Sequence, residues 1–305
     1  MGCVFGPVPS RRLGRSLGVD LVPFKTCTYD CIYCQLGRTT RKTVTRREWV
    51  PLEDVLSELK DKLTFQPDHI TLSGSGEPTL YSRLGELIEG IRSMTQIPVA
   101  VLTNGSLLWD PQVRRDLTEA SIVIPSLDAG TEDMFQAVNR PHPHIPFEEM
   151  LEGLRIFRSE YHGAYWLEVF ILAGHTAVWS EARKIARLAK RIGPDRVQLN
   201  TACRPAAEDY AVGVDPSRLQ EISRFFHPPA EIIADFEVPD LGKRGSATRE
   251  AVYELLKRRP CGTGDVASGL GLHPNEALKY IEELVHLDFV EPVKKGSKIF
   301  YRARL

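Results

Sequence analysis

Three cysteines, Cys27, Cys31 and Cys34, share the run Thr26-Cys27-Thr28-Tyr29-Asp30-Cys31-Ile32-Tyr33-Cys34-Gln35. The spacing Cys-x3-Cys-x2-Cys places three thiolates on one short loop, enough to hold three corners of a cubane [4Fe–4S] cluster. The fourth iron then lacks a protein ligand and can bind a substrate or cofactor, whereas a fully ligated cluster only passes electrons. Other uses of these thiols fit less well. Tetrahedral zinc usually pairs one Cys-x2-Cys with a second such pair, and neither a second pair nor a nearby histidine follows. A disulfide framework does not suit six cysteines in 305 residues with no charged-then-apolar leader at the start.

A second motif lies roughly 40 residues on, where Ile70-Thr71-Leu72-Ser73-Gly74-Ser75-Gly76-Glu77-Pro78 leaves an apolar run and enters a helical pattern. Gly74 and Gly76 let the backbone approach a ligand with no Cβ in the way. Alone, the segment is also compatible with an ordinary turn or a weak phosphate loop, though it lacks the Lys-Ser/Thr of a Walker motif.

The elements that must position these residues alternate. Strands are expected over 17–22, 69–73, 98–103, 121–126, 166–172 and 196–201, and helices over 52–62, 83–94, 111–119, 147–159 and 179–191. That alternation predicts a parallel α/β core. A helix near 216–226 and a strand near 231–237 pad its open side. After Lys243-Arg244-Gly245-Ser246 the pattern changes to helices over 248–258, 265–269 and 275–287 and a hairpin over 289–303 with a basic tip. This predicts a winged helix-turn-helix, so two domains are expected, 1–240 and 246–305. The usual role of such a module is DNA binding through its second helix. Here that helix carries Glu276, Glu282 and Glu283 against Lys279, so docking or dimerisation stands beside nucleic-acid contact.

The cysteine spacing with the Ser-Gly-Ser-Gly-Glu-Pro segment resembles the radical S-adenosylmethionine (SAM) superfamily. The stretch from Val4 to Asp20 and the Cys34-Gln35-Leu36-Gly37 end of the loop resemble its "Fe–S oxidoreductase" group, often classed beside the tRNA wyosine synthases. Archaeal wyosine synthases carry additional cysteines for a second cluster and a Cys-Trp at the loop end, which this chain lacks. The resemblance implies a partial (β/α)6 barrel with its chemistry at the C-terminal strand ends. It also implies that SAM chelates the open iron and is split reductively into methionine and a 5′-deoxyadenosyl radical, with flavodoxin or ferredoxin as electron donor.

In such a barrel the implied SAM contacts are Tyr33 at the adenine, the backbone of Gly74, Ser75, Gly76 and Glu77, and the strand ends at Thr103, Asn104, Ser126, Asp128, Glu168 and Asn200. For Asp128 a helix cap is an equal reading, and Glu168 needs a partner if buried. Arg204 is a plausible grip for a carboxylate or phosphate. Cys203 either donates a hydrogen atom to a substrate radical or is an inert buried thiol. His142 and His144 belong to a rigid proline-rich loop. Gly76→Val and Glu77→Ala are expected to weaken SAM binding while sparing the cluster.

The net charge of −1 and 42% hydrophobic content describe an ordinary globular chain. No apolar run is long enough to span a membrane, and a cytoplasmic location is expected. From Arg11 to Arg47, nine Lys and Arg face only Asp20 and Asp30. That basic front end suits an anionic substrate, an acidic electron donor or RNA, or else a solvated face that compensates the cluster's charge. Three functions follow: radical chemistry on RNA or a nucleotide, radical modification of a protein or peptide, and a non-enzymatic redox regulator reading DNA.

Overall fold

The computed structural model describes residues 2–234 and 248–304. Strands β1 (Val4–Ser10) and β2 (Gly14–Val19) form an antiparallel hairpin. The short strands β3 (Thr26–Cys27) and β4 (Arg41–Lys42) pair on either side of the cysteine loop. Helix α1 (Leu52–Lys62) leads to β5 (His69–Leu72), α2 (Leu84–Met94), β6 (Val99–Thr103), α3 (Pro111–Leu117) and β7 (Ile122–Pro125). Then follow α4 (Glu132–Val138), α5 (Phe147–Glu160), β8 (Ala164–Ile171), α6 (Trp179–Ile192), β9 (Arg196–Thr201), α7 (Pro216–Ser223) and β10 (Glu231–Ile232).

One eight-stranded sheet runs β1-β2-β5-β6-β7-β8-β9-β10 and is parallel from β2 onward. Strand order that follows chain order winds the sheet in one direction, as in a partial barrel, and leaves helices to cover its outer face. The strands are apolar because both faces are covered: Ile70, Leu72, Val99, Val101 and Val123 are fully buried. Helix α6 presents Ala182, Ile185, Ala186, Ala189 and Ile192 on its buried face. It stops at Gly193, whose φ of 72° provides the left-handed C-cap.

Two elements differ from expectation. The segment Val4–Ser10 pairs as a strand despite two prolines, which an edge strand tolerates, and its register shifts between Phe5 and Val8. Helix α4 was not legible as a helix; the Thr131 hydroxyl caps it by accepting from the Met134 N–H. The expected strand over 231–237 is Glu231–Ile232, and its remainder from 235 lies outside the described residues, as do the domain limits at 240 and 246.

The tail contains α8 (Arg249–Arg258), α9 (Thr263–Leu270), α10 (Pro274–His286) and the hairpin β11 (Val290–Lys295) and β12 (Lys298–Ala303). It has its own core, with Val252, Leu256, Val266, Ile281 and Leu284 buried together, and Val8 of β1 packs against it. Polar contacts fasten it to the strand ends. Lys295 donates to the carbonyls of Ala202 (2.9 Å) and Arg204 (2.6 Å). Arg204 pairs with Asp265 at 3.2 Å, and Arg258 pairs with Asp20. Among the described residues no helix is long and apolar enough to cross a membrane.

Candidate active site

The cysteine loop is held by backbone on two sides. On one side, Thr26 forms a parallel bridge with Gly76, the Glu77 N–H donates to the Thr26 carbonyl (3.2 Å), and the Lys25 N–H donates to the Ser75 carbonyl (2.7 Å). On the other, the Ile32 and Asp30 N–H groups donate to the carbonyls of Val138 (2.9 Å) and Asn139 (3.1 Å), and His142 N–H donates to Thr28 (2.8 Å). The proline-rich segment with His142 and His144 is therefore a brace for the loop. Gly76 is required by this docking, since a Cβ there would stand 1.7 Å from the Thr26 oxygen. The expectation that Gly76→Val spares the cluster is corrected by this contact, because the residue next to Thr26 is Cys27, one of the three expected ligands.

The three thiols are electrostatic neighbours. Desolvation, then the Glu77 carboxylate, pushes Cys27 up to about 12. Cys31 is raised by desolvation, then by Cys27, Asp128 and Cys34, and Cys34 is raised chiefly by desolvation. Thiols held protonated in this way ionise on binding iron, which offsets the penalty with metal–sulfur bonds. Two amides are aimed at the sulfurs: Asn104 Nδ2 lies 3.6 Å from Cys27 Sγ, and Asn139 Nδ2 lies 3.5 Å from Cys31 Sγ. N–H donors to cluster sulfurs stabilise the extra electron of a reduced cluster. Asn139→Ala is accordingly expected to make the cluster's reduction potential more negative in spectroelectrochemistry; an unchanged potential would remove Asn139 from this role.

Glu77 turns inward. It accepts from the Thr103 hydroxyl (2.5 Å), the Asn104 N–H (2.7 Å) and the Thr79 hydroxyl (2.6 Å), and burial raises its pKa against those bonds. Glu77, Thr103 and Asn104 thus tie the end of β5 to the end of β6 and support the loop from beneath.

A cavity of about 450 Å³ opens at the strand ends, lined in part by Tyr33, Cys34, Gly74, Ser126, Asp128, Glu168 and Asn200. With Arg204, eight of the residues picked out from the sequence therefore share one space. Tyr33 stacks on Phe170, with ring centroids 3.9 Å apart, and donates to Asp128. Asp128 also accepts from Asn139 (2.8 Å) and the Phe170 N–H (2.9 Å); burial pushes its pKa up to about 6 against those donors. Its role as an ordinary helix cap is replaced by this network. Glu168 pairs with Arg12 at 2.6 Å and accepts from Asn200 (3.0 Å). Burial opposes its charge, but Arg12, Asn200 and Arg11 outweigh it and hold the carboxyl below the usual range.

Cys203, just beyond β9, does not line the cavity; its N–H donates to Thr201 in a tight turn (2.9 Å), and its neighbour Arg204 occupies the wall instead. Sequence reasoning missed Asn139, Phe170, Arg258 and Arg259. Asn139 sits at the end of the unforeseen α4, and the two arginines reach the cavity from the tail, so no local pattern marks either.

The profile of the Radical SAM superfamily matches residues 21–189. A Helicobacter pylori (strain J99) UPF0026 protein is 35% identical and covers 98% of this chain and 97% of its own length. A Brachyspira hyodysenteriae protein named GTPase Obg is 39% identical over 92% of this chain, which spans only 42% of that protein. A radical SAM methyltransferase from Sphaerobacter thermophilus superposes with a TM-score of 0.54 at 16% identity, over 73% of this chain and 67% of that one, a likeness of fold. With the cysteine loop docked at the strand ends of a parallel sheet, these matches place the chain in the radical SAM superfamily and in the UPF0026 family.

Proposed function

We propose that this radical SAM enzyme holds one [4Fe–4S] cluster on Cys27, Cys31 and Cys34, binds SAM in the adjoining cavity and abstracts hydrogen from a small nucleotide-like substrate. The observation that carries the reading is the position of the thiol loop, with Cys34 opening onto the strand-end cavity. The donor set fits the group: three neighbouring thiols, two amides directed at sulfur, and glycines at 74 and 76 where a Cβ would strike Asp20 and Thr26. When bound, the cluster supplies the electron that splits SAM into methionine and the 5′-deoxyadenosyl radical. The chain's own residues bind and orient. Tyr33 and Phe170 offer an aromatic wall, the ionised Glu168 and the Asp128 network offer acceptors for hydroxyl or ammonium groups, and the backbone at Gly74 offers close approach.

A small substrate is preferred to RNA because much of the basic front end is already paired within the chain, Arg38 and Lys42 at the surface. Arg12, Arg38 and Arg46 pair with Glu168, Glu208 and Asp116, and Lys42 donates to the carbonyls of Arg140 and Pro141. The tail, read as a winged helix from about 246 onward, points the same way, because Lys295 of its hairpin is spent on barrel carbonyls. We read it as a docked wall of the enzyme, and a flavodoxin- or ferredoxin-like donor and a cytoplasmic setting complete the proposal. The test is electron paramagnetic resonance of the anaerobically reconstituted, reduced protein. SAM is expected to change the cluster signal; a signal indifferent to SAM would favour the redox-regulator reading.

A further inference from the structure

The cavity has a cationic end that the cluster chemistry does not use. Five arginines line it: Arg11 and Arg12 around the β1–β2 turn, Arg204 after β9, and Arg258 and Arg259 at the end of α8. The lining offers two carboxylates in return, Asp128 and Glu168, and Glu168 is already paired with Arg12. Arg258 uses Nη1 for Asp20 and for the Ser75 hydroxyl (3.2 Å), while its Nε is buried without an acceptor. Arg204, only 6% exposed, uses Nη2 for Asp265 (3.2 Å), and its Nε is also buried without an acceptor. Native proteins rarely leave such donors unmet. Arg204 from the barrel and Arg258 from the tail line one cavity together with Arg259; the Nε atoms of the first two are closed to solvent, so the remaining edges of the guanidinium groups are what a ligand in the cavity meets.

We propose that Arg204, Arg258 and Arg259 grip a phosphoryl group of the substrate, which makes the substrate a small phosphorylated molecule and the tail a part of its binding site. This rests on the enzyme reading above and deepens it. A carboxylate is satisfied by one guanidinium fork, since it has two oxygens. Donors lining one cavity from two separate parts of the chain suit a group with a third oxygen and a second charge. The tail's position also explains why α8 ends at this cavity: Phe5 of β1 lies under Arg258, 4.7 Å from its guanidinium, and holds that end against the hairpin.

The test is calorimetric titration of the full-length, cluster-reconstituted protein with inorganic pyrophosphate, with succinate and, separately, with SAM. Wild type is expected to bind pyrophosphate in preference to succinate. Arg204→Gln and Arg259→Ala are each expected to weaken pyrophosphate on the order of tenfold with SAM affinity nearly unchanged. Arg204→Gln strips Asp265 of its partner and can disturb folding. Arg259 has no ion pair among the described residues, so Arg259→Ala keeps the test readable. Pyrophosphate that binds neither better than succinate nor worse in the variants overturns the proposal. So does a parallel loss of SAM affinity, which would assign the arginines to the SAM carboxylate. A protein that cleaves SAM yet ignores pyrophosphate would sink this inference alone and leave the enzyme reading standing.

Discussion

Cys31→Ala is expected to leave the protein folded but without a stable cluster, and therefore without SAM cleavage. The other two thiols cannot replace the missing corner, because the remaining cysteines, Cys3, Cys203 and Cys261, are far from the loop in sequence and Cys203 lies off the cavity wall. The fold itself should survive. Loop docking depends on the backbones of residues 26, 30 and 32 and on their partners at 76, 138 and 139, none of which the substitution alters. Desolvation and neighbouring charges hold the Cys31 thiol neutral in the metal-free protein, so the substitution takes no charge out of the fold. Iron and sulfide analysis after anaerobic reconstitution, read beside the melting temperature, checks both halves of this expectation.

Gly76→Val is expected to be nearly as damaging by a different route. The added Cβ meets a backbone carbonyl at 1.7 Å and the Val22 side chain at 2.9 Å. Ordinary overpacking costs roughly 1–3 kcal/mol and is relieved by shifts of side chains. A backbone oxygen cannot rotate away, so the strand holding Thr26 and Cys27 must move from the end of β5. Iron content should fall together with SAM binding. A Gly76→Val protein with full iron content and only SAM affinity reduced would show that the loop docks in some other way.

The parts of this molecule that repeat a local pattern were legible in the sequence. Strands β6 and β7 are nearly continuous apolar runs, α6 carries an unbroken helical stripe, and the cysteine spacing stands in one stretch of the chain. Residues that act through distant partners were not. The sequence marks Glu77 for its backbone at a strand end, and only the structure shows its carboxylate tied to Thr103 and Asn104. The arginines at 11 and 12 read as a basic patch, yet they serve Glu168, Asn200 and Gln198 across the sheet. The first strand was hidden because its prolines suppress the strand signal, and only its pairing with β2 reveals it. Arg258 is the extreme case: its partner Asp20 lies 238 residues earlier.

The β1–β2 hairpin thereby acquires a purpose. It supplies Arg11 and Arg12 to the cavity, Val8 to the tail's core and Phe5 beneath Arg258. Gly18 leaves room for the Phe5 ring, which a Cβ would approach to 2.2 Å. Barrel, hairpin and tail share a wall at the strand ends, so the tail shapes the site directly.

The most direct measurement is 5′-deoxyadenosine, assayed by mass spectrometry after anaerobic reconstitution and chemical reduction with SAM, with Cys31→Ala alongside. Product is expected from the wild-type protein and none from the variant. A fully reconstituted, reducible wild-type protein that yields no 5′-deoxyadenosine, or equal product from both proteins, would contradict SAM cleavage at a cluster held by Cys31.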